Sequence, residues 1–352
     1  MQQISGKLIF EDKTVFTGMS FGAPVGRAGE VVFSTGMVGY PESLTDPSYK
    51  GQILVLTYPL IGSYGVPNRT FWESDSIMVS GLVVGSYIDT PSHFQSCRTL
   101  AEWLRGEKIP LLEIKDTRLL AQKIRDRGTL LGKIVFDKDI PFYDPNKENL
   151  VAQVSGKKVI LQKPHSAPSA KTILLIDCGA KRNIQRKLSE RGVNVIIVPW
   201  NFDPFAKQGI SFDGIVVSNG PGDPKYVDKT IATIKKALDL KIPLLGICLG
   251  HQLLSLAAGG NTKKLKYGHR GQNQPCIMEG SPRCFITTQN HGFAVSEIPP
   301  GFKPWFTNAN DSSNEGMIHR RYPFMSVQFH PEAAPGPVDT EWIFDYFLEK
   351  IK

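Results

Sequence analysis

Long hydrophobic runs are absent from this chain, although 41% of its 352 residues are hydrophobic. No apolar run approaches the roughly 20 residues that a transmembrane helix needs. Residues 1–7 contain neither an apolar signal core nor an arginine-rich amphipathic segment. We therefore expect a cytoplasmic protein that has no membrane partner.

Cysteine is scarce, and its spacing does not suggest pairing. The five cysteines are an odd number, and none belongs to a CxxC pair. This spacing argues against a disulfide framework and against a structural zinc site. We expect at least one free thiol and no metal ion in this chain.

Dense basic segments are also missing, although the formal net charge is +8 at pH 7. Lysine and arginine are scattered, and basic groups such as the one at residues 263–266 are short. No basic motif interleaved with aromatic residues is present, as nucleic-acid recognition would require. The charge therefore predicts a solvated or partner-facing surface, and we expect no nucleic-acid partner.

The length of the chain suits two domains, and no internal repeat is visible. Residues 163–171 are polar and contain proline, which is typical of an interdomain linker. We therefore predict an N-terminal domain at residues 1–150, a linker at 151–171 and a C-terminal domain at 172–352.

The N-terminal domain mixes short strand-like segments, many turns and a few helical stretches. Strand patterns occupy residues 7–10 and 29–33, and helical patterns occupy 98–105 and 117–127. This mixture predicts a smaller α+β domain.

The C-terminal domain alternates continuous apolar runs with helical patterns. The apolar runs are typical of strands buried on both faces and occupy residues 172–177, 193–198, 213–218 and 242–247. Such alternation predicts an α/β fold with an open, mostly parallel sheet and helices on both faces. Sites in such sheets lie beyond the carboxyl ends of the strands.

Cys248 follows the last of these apolar runs, in the stretch LGICLGHQ at residues 245–252. A nucleophile on a sharp strand-to-helix turn needs small residues two positions away on either side, and Gly246 and Gly250 supply them. The N-terminus of the following helix favours a thiolate and directs N–H groups at a developing oxyanion. The alternative is a buried core cysteine, which is the commoner fate of this residue type.

His330 is the histidine best placed to act as the base for such a nucleophile. It lies in QFHPE at residues 328–332, where Glu332 is two positions away. Residues two apart in extended chain point to the same side, and Pro331 stiffens the spacing. Glu332 is therefore predicted to orient the imidazole of His330 in a nucleophile–base–orienter triad with Cys248.

Other candidates fit a catalytic role less well. His291 has no such carboxylate and is expected to shape a pocket, and His251 is expected to pack or to form hydrogen bonds in the first turn of the helix. Cys178 also ends a strand, but no glycine stands two residues before it. The neighbouring Lys181 and Arg182 predict a surface position there.

Motifs from both domains together resemble a known family. The segments GICLGHQ (246–252), HPE (330–332) and SNGPGDP (218–224) resemble the class I, or triad, glutamine amidotransferases. The segments at residues 29–49 and 56–62 resemble the N-terminal domain of the small, glutaminase subunit of glutamine-dependent carbamoyl phosphate synthetase, and DTR (116–118) and GHRGQN (268–273) fit the same family. The resemblance covers nearly the whole chain.

The resemblance implies a specific reaction. Cys248 is expected to attack the carboxamide carbon of L-glutamine, while His330 takes the thiol proton and then protonates the leaving ammonia. Water activated by His330 then hydrolyses the γ-glutamyl thioester to glutamate. Cys248, His330 and Glu332 are the expected catalytic residues.

The resemblance also implies a set of substrate contacts. Backbone N–H groups of Leu249 and Gly222 are expected to hold the oxyanion, whereas a plain turn is the alternative for the SNGPGDP loop. The positions that match the family's contacts with L-glutamine are Ser48, Gly220, Gly222, Leu249, Gln252, Asn290, Gly292 and Phe293.

The ammonia is expected to pass to a large synthetase subunit, which makes carbamoyl phosphate from bicarbonate and ATP. ATP and magnesium are expected on that partner and no cofactor in this chain, which shows no nucleotide-binding glycine loop. The partner is either a separate chain, giving a heterodimer, or a fused continuation. The product feeds arginine biosynthesis, pyrimidine biosynthesis or both.

Two other functions remain open at this point. One is a different class I amidotransferase subunit, against which the first 150 residues argue. The other is a non-catalytic regulatory subunit that retains the fold, against which the intact triad argues.

Overall fold

Residues 4–164, 171–206 and 210–351 are described by a computed structural model. The chain divides into two compact units, Met1–Lys147 and Glu148–Lys352. Among the described residues, no helix combines the length and the hydrophobicity that a membrane span requires.

The first unit is built on a closed barrel of strands. Its strands are β1 (Ser5–Phe10), β2 (Val15–Ser20), β3 (Arg27–Ser34), β4 (Gln52–Leu56), β5 (Gly81–Val84), β6 (Leu111–Glu113) and β7 (Leu130–Val135). The order around the barrel is β1-β2-β6-β5-β4-β3-β7, and the pairing of β7 with β1 closes it. Strands β3 to β6 pair in parallel and the remaining neighbours are antiparallel.

Three helices accompany the barrel: α1 (Tyr40–Thr45), α2 (Leu100–Gly106) and α3 (Thr117–Arg127). The side chain of Asp116 caps α3 by accepting a hydrogen bond from the N–H of Leu119. Leu120 and Ile124 of α3 pack in one hydrophobic cluster with strand residues that include Val31 and Ile53. Sequence patterns predicted β1, β3, α2 and α3 of this α+β unit, whereas β2, β4 to β7 and α1 were not located. Barrel closure was not predicted either, because it depends on pairing between β1 and β7, which are distant in sequence.

The second unit contains one ten-stranded sheet. Its strands are β8 (Ile160–Gln162), β9 (Thr172–Asp177), β10 (Asn194–Pro199), β11 (Gly214–Val217), β12 (Leu244–Ile247), β13 (Asn261–Met278), β14 (Cys284–Glu297), β15 (Phe302–Asn308), β16 (Asn314–His319) and β17 (Phe324–Val327). The order is β14-β13-β15-β16-β17-β12-β11-β9-β10-β8. The neighbours from β17 to β10 pair in parallel.

Helices of the second unit cover both faces of the parallel part of the sheet. They are α4 (Val151–Val154), α5 (Arg182–Glu190), α6 (Asp228–Asp239), α7 (Leu249–Ala257) and α8 (Trp342–Glu349). Leu175 of β9 packs in a cluster with residues of α5 and α8, and the adjacent Leu174 packs in a cluster with residues of α6 and α7. The predicted α/β class, an open sheet with helices on both faces, is confirmed.

Two features of this unit differ from the sequence prediction. The antiparallel strands β13 to β16 were not predicted, because β13 and β14 are long and rich in polar residues rather than continuously apolar. The predicted linker at 151–171 is wrong over its first part, since Val151 is buried in the core and β8 pairs with β10 at the sheet edge. Residues 165–170, where the linker signal is concentrated, lie outside the described residues.

Candidate active site

Cys248 lies on a strained turn between β12 and α7. Its backbone angles are φ 54° and ψ −100°, which an L-residue seldom adopts, and its N–H donates to the carbonyl of Val327 at 2.8 Å. A Cβ atom on Gly246 would lie 2.5 Å from the carbonyl oxygen of Gly250. The two predicted glycines therefore allow the turn to close tightly enough to present Cys248.

His330 and Glu332 reach the same edge of the sheet because β17 runs parallel to β12. Ile247 is paired with Val327, so the segments that follow both strands leave the sheet side by side. Nδ1 of His330 lies 2.6 Å from Oε1 of Glu332. The sheet therefore brings together the three residues that the sequence predicted as a triad.

The charges in this buried group reinforce one another. Burial alone would lower the pKa of His330, but the negative charge of Glu332, together with the charge and hydrogen bonding of Cys248, outweighs burial and raises that pKa. Burial alone would raise the pKa of Glu332, but the positive charges of Lys181 and His330 hold it below its usual value. The arrangement favours an imidazolium that stands between a carboxylate and the sulfur.

Lys181 corrects the sequence prediction that this position is at the surface. Its side chain is only 1% exposed, and its Nζ lies 3.1 Å from Oε1 of Glu332. Nζ also donates to the carbonyl of Ala333. A buried carboxylate needs partners of opposite charge, and Lys181 acts beside His330 in that role. The sequence analysis did not use the one relevant feature, which is the position of Lys181 just beyond the carboxyl end of β9.

Two further neighbours of the triad were missed. Nε2 of Gln328 lies 3.6 Å from Sγ of Cys248, and the side-chain amide of Asn183 donates to the carbonyl of Glu332. Gln328 stands two residues before His330 on the same extended segment, which is a weak signal. Asn183 gives no signal in the sequence, since it approaches Glu332 only through the fold.

The predicted oxyanion loop lies beside Cys248. The N–H of Gly250 donates to the carbonyl of Ser218 at 3.1 Å, which ties the loop after β11 to the first turn of α7. A Cβ atom on Gly220 would meet a methyl carbon of Leu249 at 2.8 Å, and Gly222 has φ 85°. Leu249 is the first residue of α7, where N–H groups have no partner within the helix. The loop is thus a close backbone approach rather than a plain surface turn.

Four predicted glutamine ligands also meet near Cys248. Sγ of Cys248 lies 3.9 Å from the carbonyl oxygen of Asn290, and Nε2 of Gln252 donates to the carbonyl of Phe293 at 2.9 Å. Gly292 lies between these two positions on β14. The structure therefore places Asn290, Gly292, Phe293 and Gln252 together, while their contact with a substrate stays a prediction.

Ser48 belongs to the first unit. It lies in a short 3-10 turn, Pro47–Tyr49, is buried there, and its N–H donates to the side chain of Asp46 at 2.9 Å. Its predicted role as a glutamine ligand therefore stays a prediction.

His251 is buried beneath the elbow. Its Nδ1 lies 2.9 Å from the hydroxyl of Ser326, and burial lowers its pKa to about 3. The ring is therefore neutral, as the predicted packing and hydrogen-bonding role requires.

Two family profiles match this chain. The profile described as glutamine amidotransferase class-I matches residues 174–350, and the one described as carbamoyl-phosphate synthase small chain, CPSase domain, matches residues 8–134. The matched ranges contain both sets of motifs that carried the resemblance in the sequence.

Curated relatives align with nearly all of the chain. "Multifunctional protein CAD" of Squalus acanthias is 51% identical and covers 97% of this chain, which spans 16% of that protein. "Multifunctional protein ura1" of Schizosaccharomyces pombe is 46% identical over 98% of this chain and 17% of its own length. "Carbamoyl-phosphate synthase [ammonia], mitochondrial" of Homo sapiens is 46% identical over 98% of this chain and 24% of its own length. The chain thus corresponds to a minor part of each of these relatives.

Proposed function

The chain belongs to the class I glutamine amidotransferase family and carries the carbamoyl-phosphate synthase small-chain domain before it, and on this premise we propose that it is the glutaminase component of a carbamoyl phosphate synthetase. The observation that carries the proposal is the buried Cys248–His330–Glu332 group on a strained elbow, in the same chain as that N-terminal domain.

The geometry supports thiolate attack on an amide. Sγ of Cys248 attacks the carboxamide carbon of L-glutamine, and His330, which has held the thiol proton, gives a proton to the departing ammonia. The oxyanion lies against the N–H groups of Leu249 and Gly222. Glu332 keeps the imidazole oriented and stabilises its positive charge, a role that the 2.6 Å contact supports.

A water molecule completes the cycle. His330 takes a proton from water, the resulting hydroxide attacks the γ-glutamyl thioester, and the thiolate leaves as glutamate is released. Ammonia must reach its acceptor before water protonates it, so the proposal includes a synthetase partner. That partner, separate or fused, makes carbamoyl phosphate from bicarbonate and ATP, and ATP and magnesium bind there.

The proposed compartment is the cytoplasm. All five cysteines lie in the described residues and are free thiols, and Cys97 and Cys284 are exposed. Exposed free thiols suit a reducing compartment. Microscopy of the full-length protein with a C-terminal fluorescent tag tests this, and signal confined to an organelle would contradict it.

Turnover of glutamine tests the enzymatic proposal. The chain with its synthetase partner is expected to release glutamate from L-glutamine and to form carbamoyl phosphate when bicarbonate and ATP are added. Cys248→Ser is expected to abolish glutamate release while leaving carbamoyl phosphate synthesis from added ammonia. Absence of glutamate release by the wild-type complex would contradict the proposal and favour a regulatory subunit.

Covalent labelling identifies the nucleophile independently. A diazo-ketone that mimics glutamine is expected to give one adduct, on Cys248, by peptide mass spectrometry. An adduct on Cys178 or Cys284 instead would refute the assignment.

A further inference from the structure

A second buried group of polar side chains lies outside the triad, on the antiparallel part of the sheet. Its members come from four strands that the sequence did not predict, and they are His269 on β13, Gln289 and His291 on β14, Asn308 on β15 and Glu315 on β16. All five side chains are buried. The proposed mechanism uses none of their side chains.

Glu315 is the centre of this group. Its Oε2 accepts a hydrogen bond from Nε2 of Gln289 at 3.0 Å, and its Oε1 accepts from Nδ2 of Asn308 at 3.2 Å. Nδ1 of His269 lies 3.3 Å from the same Oε1. A fully buried carboxylate is costly unless it is paired and hydrogen-bonded, so each of these contacts fixes a neighbour in place.

His269 supplies the compensating charge. Its Nε2 lies 2.9 Å from Oδ2 of Asp311, so its ring stands between two carboxyl groups. Burial alone would lower the pKa of His269, but Glu315 and Asp311 outweigh burial and raise it. Burial raises the pKa of Glu315 above its usual value, and the hydrogen bond and charge of His269 oppose that rise.

Gln289 passes the orientation of Glu315 to His291. Because the amide nitrogen of Gln289 faces Glu315, its Oε1 faces Nε2 of His291, at 3.1 Å. Nδ1 of His291 lies 2.8 Å from the carbonyl oxygen of Phe293. A hydrogen on either ring nitrogen therefore has an oxygen acceptor, and the ring bridges Gln289 and Phe293 on β14.

The chain of contacts ends at the predicted glutamine site. The carbonyl of Phe293 also accepts from Nε2 of Gln252, which donates to Oε1 of Gln328 at 3.1 Å. Gln328 contacts Sγ of Cys248, as does the carbonyl of Asn290. A continuous series of contacts therefore connects Glu315 with the segment 290–293 and with Gln252.

We propose that Glu315 is a positioning residue for glutamine, which acts through Gln289 and His291 to hold the segment 290–293 in its substrate-binding conformation. The inference rests on the proposed function. It assigns to the antiparallel strands a part in substrate binding that is distinct from the chemistry of the triad.

Three of these side chains also have the composition and spacing of a metal site. One ligand atom each from His269, His291 and Glu315 lies within 4.8 Å of the others, and two histidines with one carboxylate form a set that transition metals accept. In this structure each of the three side chains is engaged in the hydrogen bonds described above. We therefore assign these side chains to a hydrogen-bonded network rather than to a metal site, and the metal content of the protein is one test of that assignment.

Steady-state kinetics of the complex with its synthetase partner test the proposal. Glu315→Ala is expected to raise KM for glutamine by about 10-fold to 100-fold, a loss equivalent to roughly 1.4 to 2.7 kcal/mol of binding, with kcat within about 3-fold. Glu315→Gln keeps the shape and one acceptor oxygen, so it is expected to recover most of that loss. A fall in kcat with unchanged KM in Glu315→Ala would overturn the proposal. A KM for Glu315→Gln as high as that for Glu315→Ala would also overturn it.

The matched control is Glu279→Gln. Glu279 lies just after β13, is exposed, and its carboxylate accepts a hydrogen bond from the hydroxyl of Thr307 rather than from this network. The KM of the Glu279→Gln variant for glutamine is expected to stay within about 2-fold of wild type. An equal rise in KM for Glu279→Gln would show that loss of a carboxylate on this part of the sheet, and not the network, is responsible.

Labelling of Cys248 separates positioning from general loosening. In Glu315→Ala, the glutamine-mimicking diazo-ketone at low concentration is expected to label Cys248 about 10-fold more slowly, because it needs the glutamine site. Iodoacetamide, which needs only the thiol, is expected to react at the wild-type rate. Equal slowing or acceleration of both reagents would indicate a distorted elbow and would refute the proposal.

Metal analysis and wild-type activity complete the test. Stoichiometric transition metal in the purified wild-type protein, lost in Glu315→Ala, would replace the positioning role with a metal site. Wild-type turnover with unchanged KM in Glu315→Ala would refute this inference alone. Absence of wild-type turnover would refute the proposed function instead.

Discussion

Two cysteines stand at the same edge of the second unit's sheet, and they differ in almost every other respect. Cys178 follows β9 and Cys248 follows β12, both strands neighbour β11, and both thiols are buried. Cys248 has a positive φ, and its sulfur lies near the carbonyl of Asn290. The sulfur of Cys178 instead lies 3.8 Å from the hydroxyl of Thr230, and burial raises the pKa of that thiol.

The comparison shows that a strand end alone does not make a nucleophile. The backbone at Cys248 turns sharply enough to present the side chain, because glycines stand on both sides. The turn after β9 keeps its cysteine in the core and presents Lys181 instead, which reaches Glu332. The two turns therefore contribute to one buried group: the turn after β12 contributes the predicted nucleophile, and the turn after β9 contributes the charge of Lys181.

Loss of the lysine is expected to have the largest effect. Lys181→Met removes one of the two cations that stabilise the buried Glu332 carboxylate, which is expected to destabilise the fold by about 3–5 kcal/mol and to lower kcat by roughly 100-fold through a misoriented base. Chemical denaturation and turnover measure the two effects. Lys187→Met removes a partly exposed ion pair with Glu341 and is expected to cost about 1 kcal/mol or less; an equal loss in both variants would contradict the assignment.

Strain at the elbow gives the next largest effect. Gly246→Ala places a Cβ atom 2.5 Å from the carbonyl oxygen of Gly250, so we expect a loss of about 1–3 kcal/mol in stability and up to roughly 100-fold in kcat. Gly106→Ala is the control, because its Cβ meets nothing within 4 Å. Wild-type kcat in Gly246→Ala would show that the elbow tolerates the added atom.

The triad should also make stability depend on pH in a way that Cys178 does not. The pKa of His330 is raised in the folded protein. Its contribution to the free energy of unfolding is therefore complete below the unfolded pKa of about 6.5 and is lost as pH rises. The pKa of Glu332 is lowered, so its contribution is complete above about 4.3 and is lost as pH falls.

The melting temperature of wild type is therefore expected to exceed that of Glu332→Gln by the largest margin between about pH 4.5 and 6.5. The margin should shrink at lower and at higher pH. Scanning calorimetry from pH 4 to pH 8 measures it. The corresponding difference for Cys178→Ala should stay flat, since the raised pKa keeps that thiol neutral. A flat profile for Glu332→Gln would contradict the charged triad.

The smallest effect is expected from substitution of Cys178. Cys178→Ala removes a buried sulfur but no group of the triad, so kcat and KM should stay within about 2-fold and stability should fall by less than about 2 kcal/mol. Glutamine turnover and denaturant unfolding measure these values. A large loss of kcat with normal stability would mean that Cys178 takes part in the reaction.

Local patterns were sufficient for much of the fold. The bounds predicted for β9 and α3 match the structure, because one is a continuous apolar strand and the other is a capped amphipathic helix. Barrel closure and the β13–β16 strands were not predictable in the same way. They depend on pairing between distant segments, and polar residues in β13 and β14 hide the usual strand pattern.

The residues of the site show the same contrast between local sequence patterns and contacts that only the fold creates. Cys248, His330 and Glu332 carry signals within a few residues of themselves: glycine spacing in one case and a carboxylate two positions away in the other. Lys181 and Glu315 carry no such signal, because their importance comes from partners that are 151 and 26 positions distant in sequence. Sequence patterns alone had placed Lys181 at the surface.

The amino-acid sequence by itself predicted the group of Cys248, His330 and Glu332 that the structure brings together, because each of the three is marked by local spacing. It also determined the two-part organisation of the chain, through motifs in both halves. Only the tertiary structure decided that Lys181 contacts Glu332 and that Glu315 is linked through Gln289 to His291. Buried charges must find partners wherever the fold provides them, and that choice is made by strand order rather than by distance along the chain.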